Sequence, residues 1–333
     1  MAKKTKFHLT LIALAVTALA LVAGQGIAQQ AYPTRAVQLV PAGDPGGGLD
    51  IHARAIEQAL TVEKMIDKPF TILNKGGGGG NIATSYMVSQ KGSGYSIAIN
   101  SNRVLLNPLM GTTEYGLKDM TPVARLTTEY IVWAVRADSK YKSAMEVLED
   151  LKKDPASVVF GVGTVPSNDQ FNILLPAKQK GVDYGKIKIV AFRAGGDAMA
   201  QLLGGHVPIL SSSMSELVAQ VDAGKIRILA VSSPAKLDRL PGAPTWKDLG
   251  IDVAIFHWRG LFGPPEMPKI AYDYWNKKLA GMVKTKTWKD LMDKYELFDV
   301  FLPGDEFRKQ LEKDDTTYAE LLGTLGMLKK VKK

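Results

Sequence analysis

Cysteine is absent from this chain of 333 residues, and histidine occurs only four times. Without a thiol there can be no disulfide, no thiolate metal ligand and no cysteine nucleophile. The histidines, at positions 8, 52, 206 and 257, form neither an H-E-x-x-H motif nor another short-range ligand spacing. We therefore expect no metal site.

Motifs of enzymes and nucleotide-binding proteins are also missing. No serine lies in a G-x-S-x-G pattern, and no candidate nucleophile is paired with a base. Gly48 is followed by Leu49 and Asp50 rather than by the lysine and hydroxyl residue of a P-loop, and no clean G-x-G-x-x-G turn occurs. We expect Asp50 to cap a helix or brace its loop. The sequence predicts neither catalysis nor a cofactor.

Clustered charge and long hydrophobic runs are scarce as well. The 42 Lys and Arg residues against 33 Asp and Glu residues give a formal net charge of +9, but the two signs alternate along most of the chain. Only the last few lysines, from Lys329 to Lys333, form a short basic tail. Nucleic-acid-binding proteins concentrate their basic residues on one surface, so we expect no nucleic-acid partner.

The amino terminus has the order of a secretory signal. Lys3, Lys4 and Lys6 precede an apolar run from Leu9 to Val22, and small residues follow up to Ala28. The alternative is a membrane anchor, but the run is shorter than the roughly 20 residues that span a bilayer. We expect cleavage after Ala28 and a mature protein in the periplasm.

Short β-branched runs alternate with helical patterns from Val37 onward, which predicts an α/β fold with parallel strands and crossover helices. One series ends near Asn100, and a second runs from about Ile131 to Val231. Three further helical patterns have no predicted strands of their own, so we expect them to pack on the first series. The expected organisation is a signal at residues 1–28, a first lobe from residues 29–130 and 250–333, and a second lobe inserted at residues 131–249.

Two glycine-rich turns each follow a predicted strand and open a predicted helix. Glycine lets a ligand approach the backbone closely, and the free N–H groups and dipole at a helix N-terminus favour an anion. Two such turns predict an anion site, whereas tight turns without a ligand are the alternative. The candidate ligand-binding residues here are Gly46, Gly47, Gly48, Gly78, Gly79 and Asn81, with Ser101 and Asn102 after the next strand.

The second series supplies hydroxyl and amide side chains at strand-to-helix junctions, where they could donate to a carboxylate or simply cap helices. Two arginines follow strand-like stretches and could pair with a carboxylate in a bidentate manner, or form surface salt bridges. The candidate residues of this group are Thr164, Ser167, Asn168, Gln170 and Ser213, with the arginines Arg193 and Arg259.

Several short motifs occur together in a characteristic order over the whole mature chain. They include Tyr32-Pro33, the loop from Pro41 to Asp50, Gly80-Asn81, Val135 to Ser139, Gly161 to Gln170, Ala191 to Gly196, Leu203 to Val207, the serine-rich turn before Glu216, Lys225 to Val231, and Arg259-Gly260. In these motifs the chain resembles the solute-binding proteins of tripartite tricarboxylate transporters, the Bug family, and within it the tricarboxylate-binding branch.

The chain departs from the commonest pattern of that family at two positions. Ala42, Gly43 and Asp44 lengthen the first loop, and Gly77-Gly78 replaces the usual Pro-Gly. The longer loop resembles the tricarboxylate-binding branch, while Asp44 places a negative charge near the expected anion site.

The resemblance implies a two-lobed α/β periplasmic binding protein of the type II kind, with a ligand cleft between the lobes. The implied ligand is a small carboxylate, a di- or tricarboxylate such as citrate, held largely by backbone amides, hydroxyls and water. A monomer that delivers this ligand to membrane permease subunits by lobe closure is the expected function. A periplasmic sensor that docks on a membrane kinase is the alternative, because both would use the same closing lobes.

Overall fold

The computed structural model describes residues 31–329, so the predicted signal at residues 1–28 lies outside the described residues. From Arg35 onward the described chain forms one compact unit. No helix in this part of the chain combines the length and the apolar character needed to cross a membrane.

Strands and helices alternate along the chain, as the hydrophobic pattern predicts. The strands are β1 (Val37–Pro41), β2 (Phe70–Ile72), β3 (Ser96–Asn100), β4 (Thr121–Arg136), β5 (Val159–Val162), β6 (Lys188–Ala191), β7 (Ile209–Ser213), β8 (Ile226–Val231), β9 (Phe256–Gly263) and β10 (Phe298–Pro303). The helices are α1 (Gly48–Val62), α2 (Asn81–Ser89), α3 (Arg103–Leu109), α4 (Ala144–Lys153), α5 (Asn168–Gln179), α6 (Gly195–Leu203), α7 (Val218–Asp222), α8 (Lys269–Met282), α9 (Lys286–Tyr295) and α10 (Gly304–Thr324).

The sheet contains both parallel and antiparallel strands, whereas the sequence predicted parallel strands. Its order is β2-β1-β3-β9-β4-β7-β5-β6, with β8 and β10 also paired to β4. β1 is parallel to β2 and β3, and β5 is parallel to β6 and β7. β9 and β4 run antiparallel to their neighbours. Within each parallel group the carboxyl ends of the strands lie at the same edge of the sheet, and the antiparallel strands β9 and β4 lie between the two groups.

The long strand β4 links two parts of the sheet. Its residues Thr121 to Tyr130 pair with β9, and residues Ile131 to Arg136 pair with β7 and β8. We call β1 to β3, β9, β10 and the first part of β4 the first half, and the remaining strands the second half. The sequence predicted only the second part of β4, because buried polar residues such as Thr127 and Glu129 hide the alternation in its first part.

Strand β10, between α9 and α10, contradicts the expectation that the final helices have no strand of their own. It pairs antiparallel with β4 and has an irregular register between Asp299 and Leu302. A short strand with an acid and a terminal proline has a weak sequence signal, because both residues are depleted in strands.

Helix α10 packs on both halves. Near its start, Phe307 contacts the rings of Trp258 and Phe262, each with a centroid distance of 5.4 Å. Near its end, Leu322 belongs to the core cluster of the second half, which contains Trp133. The final helices were expected to pack on the first part of the chain; α10 does so at its start and also packs on the second half at its end.

Candidate functional site

A cavity of about 40 Å³ lies where strand ends from both halves meet. Its walls come from the loop before α1, the starts of α3, α5 and α6, and the ends of β7 and β9. The residues that line it are Gly43, Asp44, Gly47, Gly48, Leu49, Arg103, Gly163, Asp169, Arg193, Ala194, Gly195, Ser213, Glu216, His257 and Arg259.

The first glycine-rich loop ends at the N-terminus of α1, where Gly47 caps the helix without a side chain. Asp50 accepts hydrogen bonds from the Gly46 amide at 3.0 Å and from Arg54 Nε at 3.0 Å. Burial alone would raise the pKa of Asp50, but these hydrogen bonds hold it below its usual value. The prediction that Asp50 braces the loop is confirmed, because its carboxylate points back into the loop.

The anion position at this helix N-terminus holds a carboxylate of the protein itself. The Gly48 amide donates to Oε1 of Glu216 at 2.6 Å, and the Ser212 hydroxyl donates to Oε2. Glu216 follows β7 and belongs to the second half, whereas Gly48 belongs to the first. Burial raises the pKa of Glu216, and the Ser212 hydrogen bond partly opposes this effect.

The N-terminus of a second helix, α6, lies against the same carboxylate. A Cβ atom built on Gly195 would lie only 1.9 Å from Glu216 Oε2, so no larger residue fits there without moving the carboxylate. The N-cap of α6, Ala194, offers no side-chain cap. One carboxylate thus lies beside two helix ends, where the helix dipoles favour negative charge.

A buried ion pair lies close to this carboxylate, beside Gly48. Arg259, whose side chain is 4% exposed, contacts Oε1 of the fully buried Glu129 through Nη2. The same nitrogen lies 3.4 Å from Ser213 Oγ. Burial alone would raise the pKa of Glu129, but Arg259 lowers it below the usual value, so the pair stays ionised.

Two buried histidines border the ion pair. His52 contacts the Gly48 carbonyl at 2.6 Å and Thr127 Oγ1 at 2.9 Å. His257 Nδ1 contacts Ser213 Oγ at 2.8 Å. Burial lowers the pKa of His52 to about 4 and that of His257 well below its usual value, so both rings are neutral at pH 7.

Asp169 and Arg103 are two other titratable residues that line the cavity. Asp169 Oδ1 is buried and has no hydrogen-bond partner, and burial, followed by the charge of Glu216, raises the pKa of Asp169 to about 8. Burial lowers the pKa of Arg103 to about 10, so its guanidinium remains charged at neutral pH. Arg103 donates to the Ala42 carbonyl at 3.2 Å.

Five of the candidates named from the sequence line this cavity: Gly47, Gly48, Arg193, Ser213 and Arg259. A neighbouring, more open cavity of about 410 Å³ contains the second glycine-rich loop and is lined by Gly78, Gly79 and Thr164, and again by Arg193. Arg193 is largely exposed, and its Nε donates to Asp44 Oδ2 across the two halves at 3.1 Å.

The remaining candidates line neither cavity, and most of them form hydrogen bonds within the protein. Asn102 Nδ2 donates to Asn168 Oδ1 across the halves at 2.5 Å, and the Ser167 hydroxyl caps α5 by accepting from the Gln170 amide. Gly46 bonds to Asp50, Asn81 bonds to Asn107 and Thr112, and Ser101 has a buried hydroxyl without a partner.

Four titratable residues of the site were missed from the sequence: Arg103, Glu129, Asp169 and Glu216. Arg103, Asp169 and Glu216 follow strand ends that already carry candidate residues, and that position was the available signal. Glu129 had no such signal because it lies inside β4.

Two parallel sheet regions joined by antiparallel strands, with a charged cavity at their strand ends, define a two-lobed periplasmic binding protein fold. The model of the tripartite tricarboxylate transporter family receptor matches residues 53–314. The chain belongs to this family of solute-binding receptors.

The chain is also similar to individual proteins, in sequence to one and in fold to two others. Protein BugT of Bordetella pertussis is 26% identical over 67% of this chain and 68% of that protein. The periplasmic binding protein BugD is similar in structure with a TM-score of 0.82 at 21% identity, covering 90% of this chain and all of that one. R. palustris Rpa4515, solved with adipate, has a TM-score of 0.80 at 22% identity, covering 89% of this chain and 99% of that one.

Proposed function

We propose that this protein captures a small di- or tricarboxylate in the cavity between its two halves and delivers it to the membrane subunits of a tripartite tricarboxylate transporter. The observation that carries the proposal is the pair of helix N-termini, from α1 and α6, that meet at one carboxylate position. Backbone amides and helix dipoles at such a position favour a carboxylate over a neutral or cationic group.

A second carboxylate of the ligand has a cation available. Among the described residues Arg103 forms no ion pair, whereas Arg259 is already paired with Glu129. Arg103 lines both cavities and keeps its charge at neutral pH. We infer that Arg103 binds this second carboxylate, since charge-assisted hydrogen bonds to a carboxylate are among the strongest that proteins form. The adipate in Rpa4515 supports this ligand class.

Lobe closure is the proposed mechanism of capture. We assign the lobes to residues 29–130 with 250–333 and to residues 131–249, and β4 changes its pairing partners between Tyr130 and Ile131. Contacts across the two lobes, such as Asp44 with Arg193 and Asn102 with Asn168, are available only when the lobes lie close together.

We further propose that the mature receptor is a periplasmic monomer, that it begins after Ala28, and that it performs no catalysis. The amino-terminal sequence supports the export step, and the receptor family supports a binding role over an enzymatic one.

A thermal-shift screen of the mature protein with adipate, malate, succinate and citrate tests the proposed ligand class. A ligand at 100 times its dissociation constant stabilises the folded state by about 2.7 kcal/mol, which is readily measured. Acetate, glycerol and arginine serve as controls of different charge and size. A shift with arginine or glycerol, and with none of the carboxylates, would refute the proposal. Uptake of the identified ligand by cells with and without the gene then tests delivery.

A further inference from the structure

The position best suited to bind the ligand's carboxylate is already occupied by Glu216. Its Oε1 accepts from the Gly48 amide at 2.6 Å, and its Oε2 lies against Gly195 at the start of α6 and accepts from Ser212. The carboxylate comes from the second half and caps a helix of the first half, 168 residues away in sequence. It therefore makes the contacts that a bound carboxylate would make.

The Gly48 amide cannot serve two carboxylates at once. Glu216 Oε1 already accepts from it at 2.6 Å, and Oε2 fills the space beside Gly195 where a Cβ would collide with it. A ligand carboxylate therefore reaches the N-termini of α1 and α6 only if the lobes part or the Glu216 side chain moves away.

Two other buried polar atoms of residues that line this cavity lack hydrogen-bond partners. Asp169 Oδ1 and Arg259 Nε are buried without a hydrogen bond, and both residues line the cavity. Because buried polar groups in native proteins are nearly always satisfied, these atoms indicate that the cavity receives a polar ligand. Glu216 thus fills only part of a larger polar site.

We propose that Glu216 is a built-in competitor of the ligand. In the ligand-free protein its carboxylate occupies the anion position shared by α1 and α6 and holds the halves together, and a carboxylate ligand binds by displacing it. This inference rests on the proposed function, because it concerns the same site. The apparent dissociation constant then equals the intrinsic one divided by the fraction of time that Glu216 leaves the position free.

Chemical rescue tests the anion position without knowledge of the natural ligand. Glu216→Ala removes the carboxylate and leaves a space that acetate fits. Sodium acetate should raise the melting temperature of Glu216→Ala in a saturable manner, relative to equal sodium chloride, and should leave the wild type unchanged. The matched control is Glu146→Ala, which removes another carboxylate near a helix N-terminus that does not line the cavity. Acetate should not stabilise this control.

Calorimetric titration with adipate, malate and citrate tests the competition itself. Glu216→Ala and Glu216→Gln should bind the ligand at least tenfold more tightly than the wild type. Ser212→Ala, which removes only the donor to Oε2, should give a smaller gain in affinity. If acetate rescues Glu216→Ala but the affinity for the ligand is unchanged or weaker, Glu216 is a structural cap and the proposal is overturned.

The two proposals fail in different ways. If the wild type binds a carboxylate, and Glu216→Ala shows neither acetate rescue nor a gain in affinity, the competitor role is wrong while the receptor function stands. If no variant binds a di- or tricarboxylate, yet acetate rescues Glu216→Ala alone, the anion position is supported and the proposed ligand class is wrong.

Discussion

At the scale of single residues, the cavity brings together charges that a protein interior normally avoids. Arg259 and Glu129 are both nearly inaccessible, and each compensates the other. Removing one partner of a buried pair leaves an uncompensated charge and costs about 3 to 5 kcal/mol, whereas replacing both by apolar residues is often neutral. The pair therefore contributes little net stability and depends strongly on both partners being present.

We predict that Glu129→Leu lowers the free energy of unfolding by about 3 to 5 kcal/mol, because it leaves the Arg259 guanidinium buried and unpaired. Urea unfolding followed by circular dichroism measures the change. The double variant Glu129→Leu with Arg259→Met should recover most of the loss. A double variant as unstable as the single one would show that packing, rather than the unpaired charge, causes the effect.

The raised pKa of Asp169 predicts how the free energy of unfolding depends on pH. In the unfolded chain its carboxyl ionises near pH 3.8, whereas burial raises its pKa to about 8 in the folded protein. Between these values the folded state binds more protons, so the free energy of unfolding falls as pH rises, by at most about 1.4 kcal/mol per unit for this one group.

Asp169→Asn removes this negative contribution, so the slope of the free energy of unfolding against pH should become more positive than that of the wild type, by up to about 1.4 kcal/mol per unit between about pH 4 and pH 8. Urea unfolding at four pH values in this range measures the slope for the variant and the wild type. The control is Asp290→Asn on the surface of α9, which should retain the wild-type slope. An Asp169→Asn profile parallel to that of the wild type would contradict the raised pKa.

At the scale of elements, the site depends on how closely two helix starts approach each other. A Cβ on Gly47, before α1, would lie 3.2 Å from Ala194 Cβ, before α6. Gly47 has an extended backbone with φ −85°, so glycine is needed here for close approach rather than for a left-handed conformation.

Gly47→Val should weaken carboxylate binding by tenfold or more, because the added side chain keeps the two halves apart. Calorimetric titration with the ligand found in the screen measures the loss. Gly242→Val is the matched control, since nothing lies within 4 Å of a Cβ at that exposed position. Equal affinities for the two variants would mean that the contact between α1 and α6 is not needed for binding.

Regular elements were largely predictable, since β1, β3 and α1 follow from clear hydrophobic patterns. The first part of β4 was not, because its buried polar residues serve the site and break the alternation that marks a strand. The importance of the glycine-rich loop before α1 was apparent from its composition, whereas the position of Glu216 was not. That contact joins residues 168 positions apart, and no local pattern specifies such a distance.

At the scale of the whole molecule, the long strand β4 pairs with strands of both halves, and α10 packs on both. The cavity lies at the boundary between the halves, so its volume depends on their separation. In the proposed function, ligand binding is therefore coupled to a movement of the two lobes.

Export is the remaining prediction at this scale. The mature protein should begin at Gln29, because three lysines, an apolar run and small residues precede that position. Amino-terminal sequencing of protein from the periplasmic fraction checks the cleavage site. Recovery of intact Met1 with the membrane fraction would contradict it.

The central claim is that a ligand carboxylate binds at the N-termini of α1 and α6. Nuclear magnetic resonance of protein labelled with ¹⁵N-glycine follows the Gly48 and Gly195 amides during titration with the ligand identified in the screen. We predict that the Gly48 and Gly195 signals shift and saturate with the dissociation constant measured by calorimetry. Saturable binding that leaves both signals unchanged would place the ligand elsewhere and contradict the claim.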